Sequence, residues 1–429
     1  MKVAILGFGR EGQSAYEYWR KKGAQLVIHD NNDSVSLPGG AESVLGKGAF
    51  LDLDSYGYDL MVRSPGLRLD NAKLNTAITT VTSEFLKQCQ AKVIGVTGTK
   101  GKGTTSTLIY EILCLAGYKA HLLGNIGSPA LDQLDDIKKD DIVVYEMSSF
   151  QLYDIESSPH VAVCLMVSED HLDWHKDLAE YHASKGNIFK YQKTSDVAVY
   201  FKDNQVSSRL VQLSKAETKY SYGKGGDVTF EGDSITAFSK KVIDIKEVAL
   251  PGPHNLENIA AAICAVWEFT SDTALIAEII RTFRGLPFHI EEVANKNGVK
   301  FYNDSFSTNP SAALAAVNSF EAPLVLFLGG FDKKADFSEL SRHLAGRKVR
   351  QVITYGQTGA SIEASLNSAG VKNVSYIASK DFKKIVREGA KHAQPGDVVV
   401  FSPACASFDM FSDYKSRGQQ FNDIVASLK

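Results

Sequence analysis

The chain has 429 residues, 44% of them hydrophobic and 23% charged; at roughly 150 residues per domain this predicts about three globular domains and excludes a disordered, collagenous or low-complexity chain. The net charge of −3 excludes the global basic field that nucleic-acid binding needs and leaves only local anion sites. Cys89, Cys114, Cys164, Cys264 and Cys405 show no paired spacing, which excludes a disulfide framework or cysteine zinc cluster and points to a reducing cytoplasm.

Residues 3–6 read as a buried strand, not as the core of a signal peptide, and no run of about 18 apolar residues could span a membrane. Gly7-Phe8-Gly9-Arg10-Glu11-Gly12 follows this strand directly and opens a predicted helix over 12–22. Its glycines allow a tight turn, and the helix N-terminus favours a diphosphate. Asp30 follows the next strand, 25–28, where it would accept from a ribose hydroxyl. The plain reading is NAD; another nucleotide, another anion and a glycine turn without ligand stay open. Ser64-Pro65-Gly66 closes a further strand, either at the same ligand or as a simple turn.

A domain boundary is placed near Leu86. Residues 93–96 form a buried strand that runs into Thr97-Gly98-Thr99-Lys100-Gly101-Lys102-Gly103-Thr104-Thr105 and a helix over 104–116. Backbone N–H groups of this loop would cradle phosphates, and Lys102, expected on an exposed loop, would reach the terminal ones. The common pattern G-x-x-x-x-G-K-[ST] is not met: Val96 stands in place of the first glycine, and Gly103 follows Lys102. Thr104 is the nearest hydroxyl. Glu146 ends the apolar strand at 142–145, where an acid beside a phosphate loop holds Mg²⁺; without that loop it would read as a solvated strand end. The strand at 161–165 leads to Glu169-Asp170-His171-Leu172-Asp173-Trp174-His175, with no Cys or further His at zinc-ligand spacing. Tyr181 and Lys185 are i, i+4 on a predicted helix and share a face. Residues 218–250, with period-2 alternation, predict a small antiparallel insertion. A second boundary is placed near Leu286, followed by strands at 324–328, 351–354 and 398–401. Strands alternating with helices predict an α/β fold with parallel sheets, whose ligands sit at the carboxyl ends of strands.

Together these motifs resemble the Mur ligase family, which includes folylpolyglutamate synthetase and comprises ATP-dependent amide-forming ligases. The resemblance spans essentially the whole chain. It implies three α/β domains, each with a mostly parallel sheet: a Rossmann-like UDP-sugar-binding domain at 1–86, a P-loop-type ATP-binding domain at 87–286 and a Rossmann-like amino-acid-binding domain at 287–429. Gly98, Thr99, Lys100, Gly101, Lys102, Gly103, Thr104 and Thr105 resemble the family's GT-x-GK-[ST]-[ST] loop. Gly124-Asn125-Ile126-Gly127 resembles its GN-I-G turn, with Asn125 at the substrate. Glu146 and His171 match Mg²⁺ ligands, and Lys185 matches a lysine that is carbamylated in several members. Asn255 and Asn258 match asparagines near the adenine, and Asp304 a residue at the ATP ribose. In the first domain Gly7, Gly9, Gly12, Asp30, Ser64, Pro65 and Gly66 would serve a UDP-sugar in place of NAD.

Leu328-Gly329-Gly330 with Lys333, and Ser402-Pro403-Ala404-Cys405-Ala406-Ser407-Phe408-Asp409 with Tyr414, resemble the glutamate-adding branch. There the counterparts of Thr308, Lys333 and Ser407 meet the glutamate carboxylates. The implied activity is formation of an amide bond between UDP-N-acetylmuramoyl-L-alanine and D-glutamate through an acyl phosphate, in cytoplasmic peptidoglycan synthesis by a monomer using ATP and Mg²⁺. Lys102, His171 and Lys185 would carry the chemistry. The alternatives are a family ligase adding another amino acid such as L-glutamate, an NAD-dependent oxidoreductase built on Gly7–Gly12, and a nucleotide-binding scaffold without catalysis. Three positions depart from the family. Phe288-His289 stands for its His-Arg, Phe306 for a lysine, and Met166 for an asparagine.

Overall fold

The computed structural model describes residues 1–69, 74–124, 128–170 and 174–428. Three sheets organise them. The first contains β1 (Lys2–Leu6), β2 (Gln25–Asp30), β3 (Glu42–Leu45), β4 (Leu60–Arg63) and β5 (Ile78–Thr80), all parallel, in the order β3-β2-β1-β4-β5. Helix α1 (Arg10–Lys21) covers it and buries Ala15, Tyr16, Tyr18 and Trp19 on one face. Helix α2 (Val81–Gln88) leads away from β5; its N-cap Thr80 accepts from Ser83 N–H, satisfying one of the donors a helix start leaves unpaired.

The second sheet runs β14-β13-β12-β11-β10-β9-β6-β8-β7. Its strands are β6 (Lys92–Thr97), β7 (Ala120–Gly124), β8 (Ile142–Glu146), β9 (Val161–Cys164), β10 (Val197–Phe201), β11 (Thr218–Tyr222), β12 (Val228–Thr229), β13 (Ser234–Ala237) and β14 (Lys240–Asp244). Helices α3 (Lys102–Leu115), α4 (Ser149–Leu152), α5 (Leu178–Lys190), α6 (Gln205–Leu210), α7 (Pro253–Val266) and α8 (Thr273–Thr282) accompany it. The expected antiparallel insertion at 218–250 is corrected in part: β11 pairs in parallel with both β10 and β12, and only the β12–β13 and β13–β14 pairings are antiparallel. Alternation marks a half-exposed strand whatever its direction, so the pattern could not separate β11 from the hairpin.

The third sheet runs β15-β16-β20-β17-β18-β19, with β15 (Glu291–Lys296), β16 (Val299–Asn303), β17 (Leu324–Gly329), β18 (Val349–Tyr355), β19 (Val374–Ile377) and β20 (Val398–Phe401). Only β15 is antiparallel. The connecting helices are α9 (Pro310–Asn318), α10 (Ser338–Ala345), α11 (Gly359–Ser368), α12 (Phe382–Ala390) and α13 (Tyr414–Ala426). Every residue of β17 is buried: Leu324, Leu326 and Leu328 enter one core, Val325 and Phe327 the other. A strand covered by helices on both faces must read as a continuous apolar run.

The chain forms two compact units, Met1–Val248 with His254–Arg281, and Ala249–Pro253 with Thr282–Lys429. In the first, one hydrophobic cluster joins Val3 and Ile5 through Phe85 to Val143 and Tyr145. Among the described residues no helix is long and apolar enough to cross a membrane.

Candidate functional site

The carboxyl ends of β1, β2 and β4 meet at a groove of about 470 Å³ lined by Gly7, Gly9, Asp30, Ser64, Pro65 and Gly66, with Arg10 and Glu11 from the start of α1. This is the switch point of the sheet, since β1 lies between β2 and β4. Gly7 has φ +88°, and a Cβ on Gly12 would lie 1.9 Å from the Gly7 carbonyl, so only glycine lets helix and turn approach this closely. Gly9, the N-cap of α1, has no atom within 4 Å of a built Cβ. Asp30 is engaged by the loop itself: Phe8 N–H donates to Oδ2 at 2.6 Å and Asn32 N–H to Oδ1 at 2.8 Å. Burial pushes the Glu11 carboxyl up to about 7, against the Gln151 amide that donates to it and against Arg63 and Arg10.

In the second sheet β6 lies between β8 and β9, and the glycine-rich loop at 98–105 leaves its carboxyl end beside Glu146, whose register partner is Val96. Gly101, the N-cap of α3, has φ +84°, and a Cβ there would come within 2.1 Å of Asn258 Oδ1. Asn258 donates to Asn255 Oδ1 at 2.9 Å, so the two asparagines are buried against the loop from α7. Thr105 is buried, with Oγ1 3.5 Å from Asn258 Oδ1.

Lys102, expected on an exposed loop, does not extend from one. It is the half-buried first residue of α3, and its Nζ donates to Gly98 O at 3.1 Å and Thr99 O at 3.0 Å. The Gly98 and Thr99 carbonyls lie at the start of the helix, and a flexible ammonium finds its acceptors there. Burial lowers its pKa, while Glu146 and Asp170 act to raise it. Lys185 is 1% exposed and donates to the same Gly98 carbonyl at 2.7 Å. Burial, and then Lys102, push its pKa down to about 7. Tyr181, one turn earlier on α5, shares a hydrogen bond of 2.9 Å with Thr99 Oγ1. Asn125 and His171 lie outside the described residues.

In the third sheet the loops after β16, β17 and β20 come together. Phe331 N–H donates to Ala406 O at 2.8 Å, which sets the loop of exposed Lys333 against the loop of buried Ser407. The Lys333 ammonium lies 5.9 Å from the Phe408 ring centroid. Arg417, fully buried, donates to Cys405 O at 3.0 Å and to Ser305 O at 2.8 Å, tying the Ser407 loop to the segment that carries half-buried Thr308. Asp304, expected at a ribose, is turned inward: Ser307 and Ser402 both donate to its Oδ2, and burial pushes its pKa up to about 7. A carboxylate that holds two hydroxyls inside the fold presents little of itself to a ligand. Two of the departures, His289 and Phe306, meet in the third sheet's unit, while Met166 lies beside the loop after β6, its carbonyl accepting from Thr99 N–H at 2.8 Å. His289 stacks on Phe306 at 3.7 Å, and Phe306 meets Tyr414 edge-on at 5.2 Å. Burial pushes His289 down to about 4, so it carries no charge near neutrality.

Residues 96–266 match the Mur ligase middle domain, and residues 290–405 match the Mur ligase glutamate ligase domain. The UDP-N-acetylmuramoylalanine--D-glutamate ligase of Clostridium kluyveri is 36% identical over 447 residues, covering 100% of this chain and 97% of that protein. That of Acetivibrio thermocellus is 37% identical over 456 residues with the same coverage. The chain belongs to the Mur ligase family. Solved structures share its fold: UDP-N-acetylmuramate-alanine ligase MurC from Thermotoga maritima, with a TM-score of 0.63, 19% identity and 100% of both chains covered, and the MurF ligase of Thermotoga maritima in complex with ADP, with a TM-score of 0.60, 20% identity and coverage of 98% and 93%.

In this Mur ligase several residues around the groove escaped motif reading. Arg63, Arg68 and Glu180 carry no local pattern, and Trp174 stands in the 169–175 string without a role of its own. Arg63 pairs with Asp154 and Arg68 with Glu180, partners 91 and 112 residues away. The one available signal was an arginine on either side of Ser64-Pro65-Gly66.

Proposed function

We propose that this protein joins D-glutamate to UDP-N-acetylmuramoyl-L-alanine, with hydrolysis of ATP to ADP and phosphate. Full-length identity of 36% and 37% with ligases of that name carries this reading. In it, residues 1–86 bind the UDP-sugar, 87–286 bind ATP and 287–429 bind glutamate. The diphosphate takes the α1 amides beside Gly7 and Gly9, and the triphosphate takes the loop from Gly98 to Thr105.

The substrate carboxylate attacks the γ-phosphorus, ADP leaves, and an acyl phosphate forms. The glutamate amine attacks its carbonyl, and phosphate leaves. Lys102 offsets the charge that develops on the transferred group. Thr308, Lys333 and Ser407 hold the glutamate carboxylates and so direct its amine. Mg²⁺ fits the donors present. Glu146 and Asp170 both act on Lys102, and carboxylate oxygens are hard ligands. Mg²⁺ takes one or two carboxylates and completes its shell with phosphate oxygens. When bound it supplies neutralisation of phosphate charge. Glu146 would hold it, with His171 and a carbamate on Lys185 as further ligands.

Phosphate release, measured with UDP-N-acetylmuramoyl-L-alanine, ATP and a panel of amino acids, tests the reading. D-glutamate is expected to support turnover and L-glutamate is not; release independent of the amino acid overturns it. Ser407→Ala and Lys333→Ala are each expected to raise KM for glutamate at least about tenfold, the worth of one hydrogen bond to a charged group, with KM for ATP within about threefold. Selective loss of ATP affinity would remove both residues from the glutamate site.

A further inference from the structure

We infer, on the reaction proposed above, that Arg68 paired with Glu180 is a positioning residue that holds the groove of the first sheet in register with the phosphate loop of the second. The reaction requires a carboxylate on a ligand of the groove to reach a phosphate held at the loop, so the two must be fixed to one frame.

Arg63, at the end of β4, organises the groove loop by itself. Its Nη1 donates to Ser64 O, Pro65 O and Leu67 O at 3.0, 3.0 and 2.7 Å. Its other nitrogens make a bidentate pair with Asp154 at 2.8 Å each. Arg68 reaches further. It forms a fork with Glu180 at 2.8 and 3.1 Å, donates to Trp174 O, and lies over the Trp174 ring at 4.8 Å and the Tyr153 ring at 5.5 Å. The indole of Trp174 in turn donates to Gly66 O in the groove at 2.9 Å.

Glu180 is fixed from its own side. It accepts from Lys176 N–H at 2.8 Å, and its N–H donates to the N-cap Asp177. The Arg68 guanidinium holds the Glu180 carboxyl down at about 2. The next residue on α5 is Tyr181, bonded to Thr99, and one turn on is Lys185, bonded to Gly98. A short connected path therefore runs from Gly66 of the groove, through one indole, one forked ion pair and one helix turn, to one carbonyl, Gly98 O, and one hydroxyl, Thr99 Oγ1, of the phosphate loop. Both partners are 22% exposed and the guanidinium lies against two rings, unlike a loose surface pair worth little. Neither Arg68 nor Glu180 is required to touch substrate; displacement of a reacting group by an ångström is enough to cost about 100-fold in rate.

The test uses the full-length wild type, Arg68→Ala, Arg68→Lys, Glu180→Ala and the double Ala variant. Phosphate release at saturating substrates gives kcat; calorimetric titration with UDP alone and with a non-hydrolysable ATP analogue alone gives each Kd; a melt checks folding. Expected are a kcat about 100-fold lower in Arg68→Ala, both Kd values within threefold of wild type, partial recovery in Arg68→Lys, and a double variant no slower than the worse single one. A kcat within threefold of wild type in a folded Arg68→Ala overturns the assignment. So does a loss expressed only in Kd, or additive effects in the double variant. If the wild type releases no phosphate with any amino acid, the proposed function fails and hydrogen exchange decides the pair. Faster exchange of the amides at 98–105 in Arg68→Ala, with added UDP, supports the link; exchange equal to wild type overturns it. Should Arg68→Ala not fold, Arg68→Lys and Glu180→Gln carry the same comparisons.

Discussion

Lys102→Ala is expected to lower ATP-dependent turnover by about three orders of magnitude or more, the scale on which a cation at a transferring phosphoryl group acts. The protein should stay folded. Lys102 Nζ contributes two hydrogen bonds to Gly98 O and Thr99 O, and each such bond is worth on the order of 1 kcal/mol net. Its side chain fills no core position, since the helix it starts buries Leu108, Ile109, Ile112 and Leu113 instead. The glycine at 101 and the asparagine it packs against keep the loop's shape without it. A thermal midpoint within a few degrees of wild type, together with lost phosphate release, is the expected pair of results. Near-wild-type turnover would remove Lys102 from the phosphate site.

Lys185→Ala should be nearly inactive and partly restored by acetate, but not by bicarbonate. The amine of Lys185 is buried beside a second lysine on one carbonyl. With its pKa pushed down to about 7, most of it is neutral at pH 8, and the neutral amine is the form that adds CO₂. That reaction turns R–NH₂ and CO₂ into R–NH–COO⁻ and a proton, replacing an ammonium that would repel Mg²⁺ by two hard oxygens. Acetate can supply such oxygens in the space left by alanine; bicarbonate cannot regenerate a lysine carbamate there. The sign with pH follows: the pKa is lowered, so protonation sets in as pH falls through about 7 and the modifiable amine is lost. Labelling with ¹³C-bicarbonate should give a carbamate carbon signal in wild type and none in Lys185→Ala. A fully active Lys185→Ala overturns the expectation.

What could be read from the residues depended on the range over which the physics acts. Strands buried on both faces are legible because every position must be apolar, as in Leu324–Gly329. The strand–loop–helix turn at 93–116 is legible because its glycines, lysines and hydroxyls are adjacent in the chain. Direction was lost at Thr218–Tyr222, where period two is the same for either pairing. The fold-back of Lys102 was lost because it depends on where Gly98 and Thr99 carbonyls point. The inward turn of Asp304 depends on Ser402, 98 residues on. The arginines beside Ser64-Pro65-Gly66 carry no readable role because their partners, Asp154 in the turn after α4 and Glu180 on α5, are brought to the groove only by folding.

The stack of His289 on Phe306 has a consequence for how this sequence can vary. Two rings 3.7 Å apart share one desolvated face, and the backbone on either side of His289 is already committed, with φ +66° at Phe288 and +52° at Ile290. Phe306 is 46% exposed, so a substitution at 289 changes what its ring rests on, and one at 306 changes what covers His289. The two positions are therefore coupled: the effect of a substitution at one depends on the side chain present at the other.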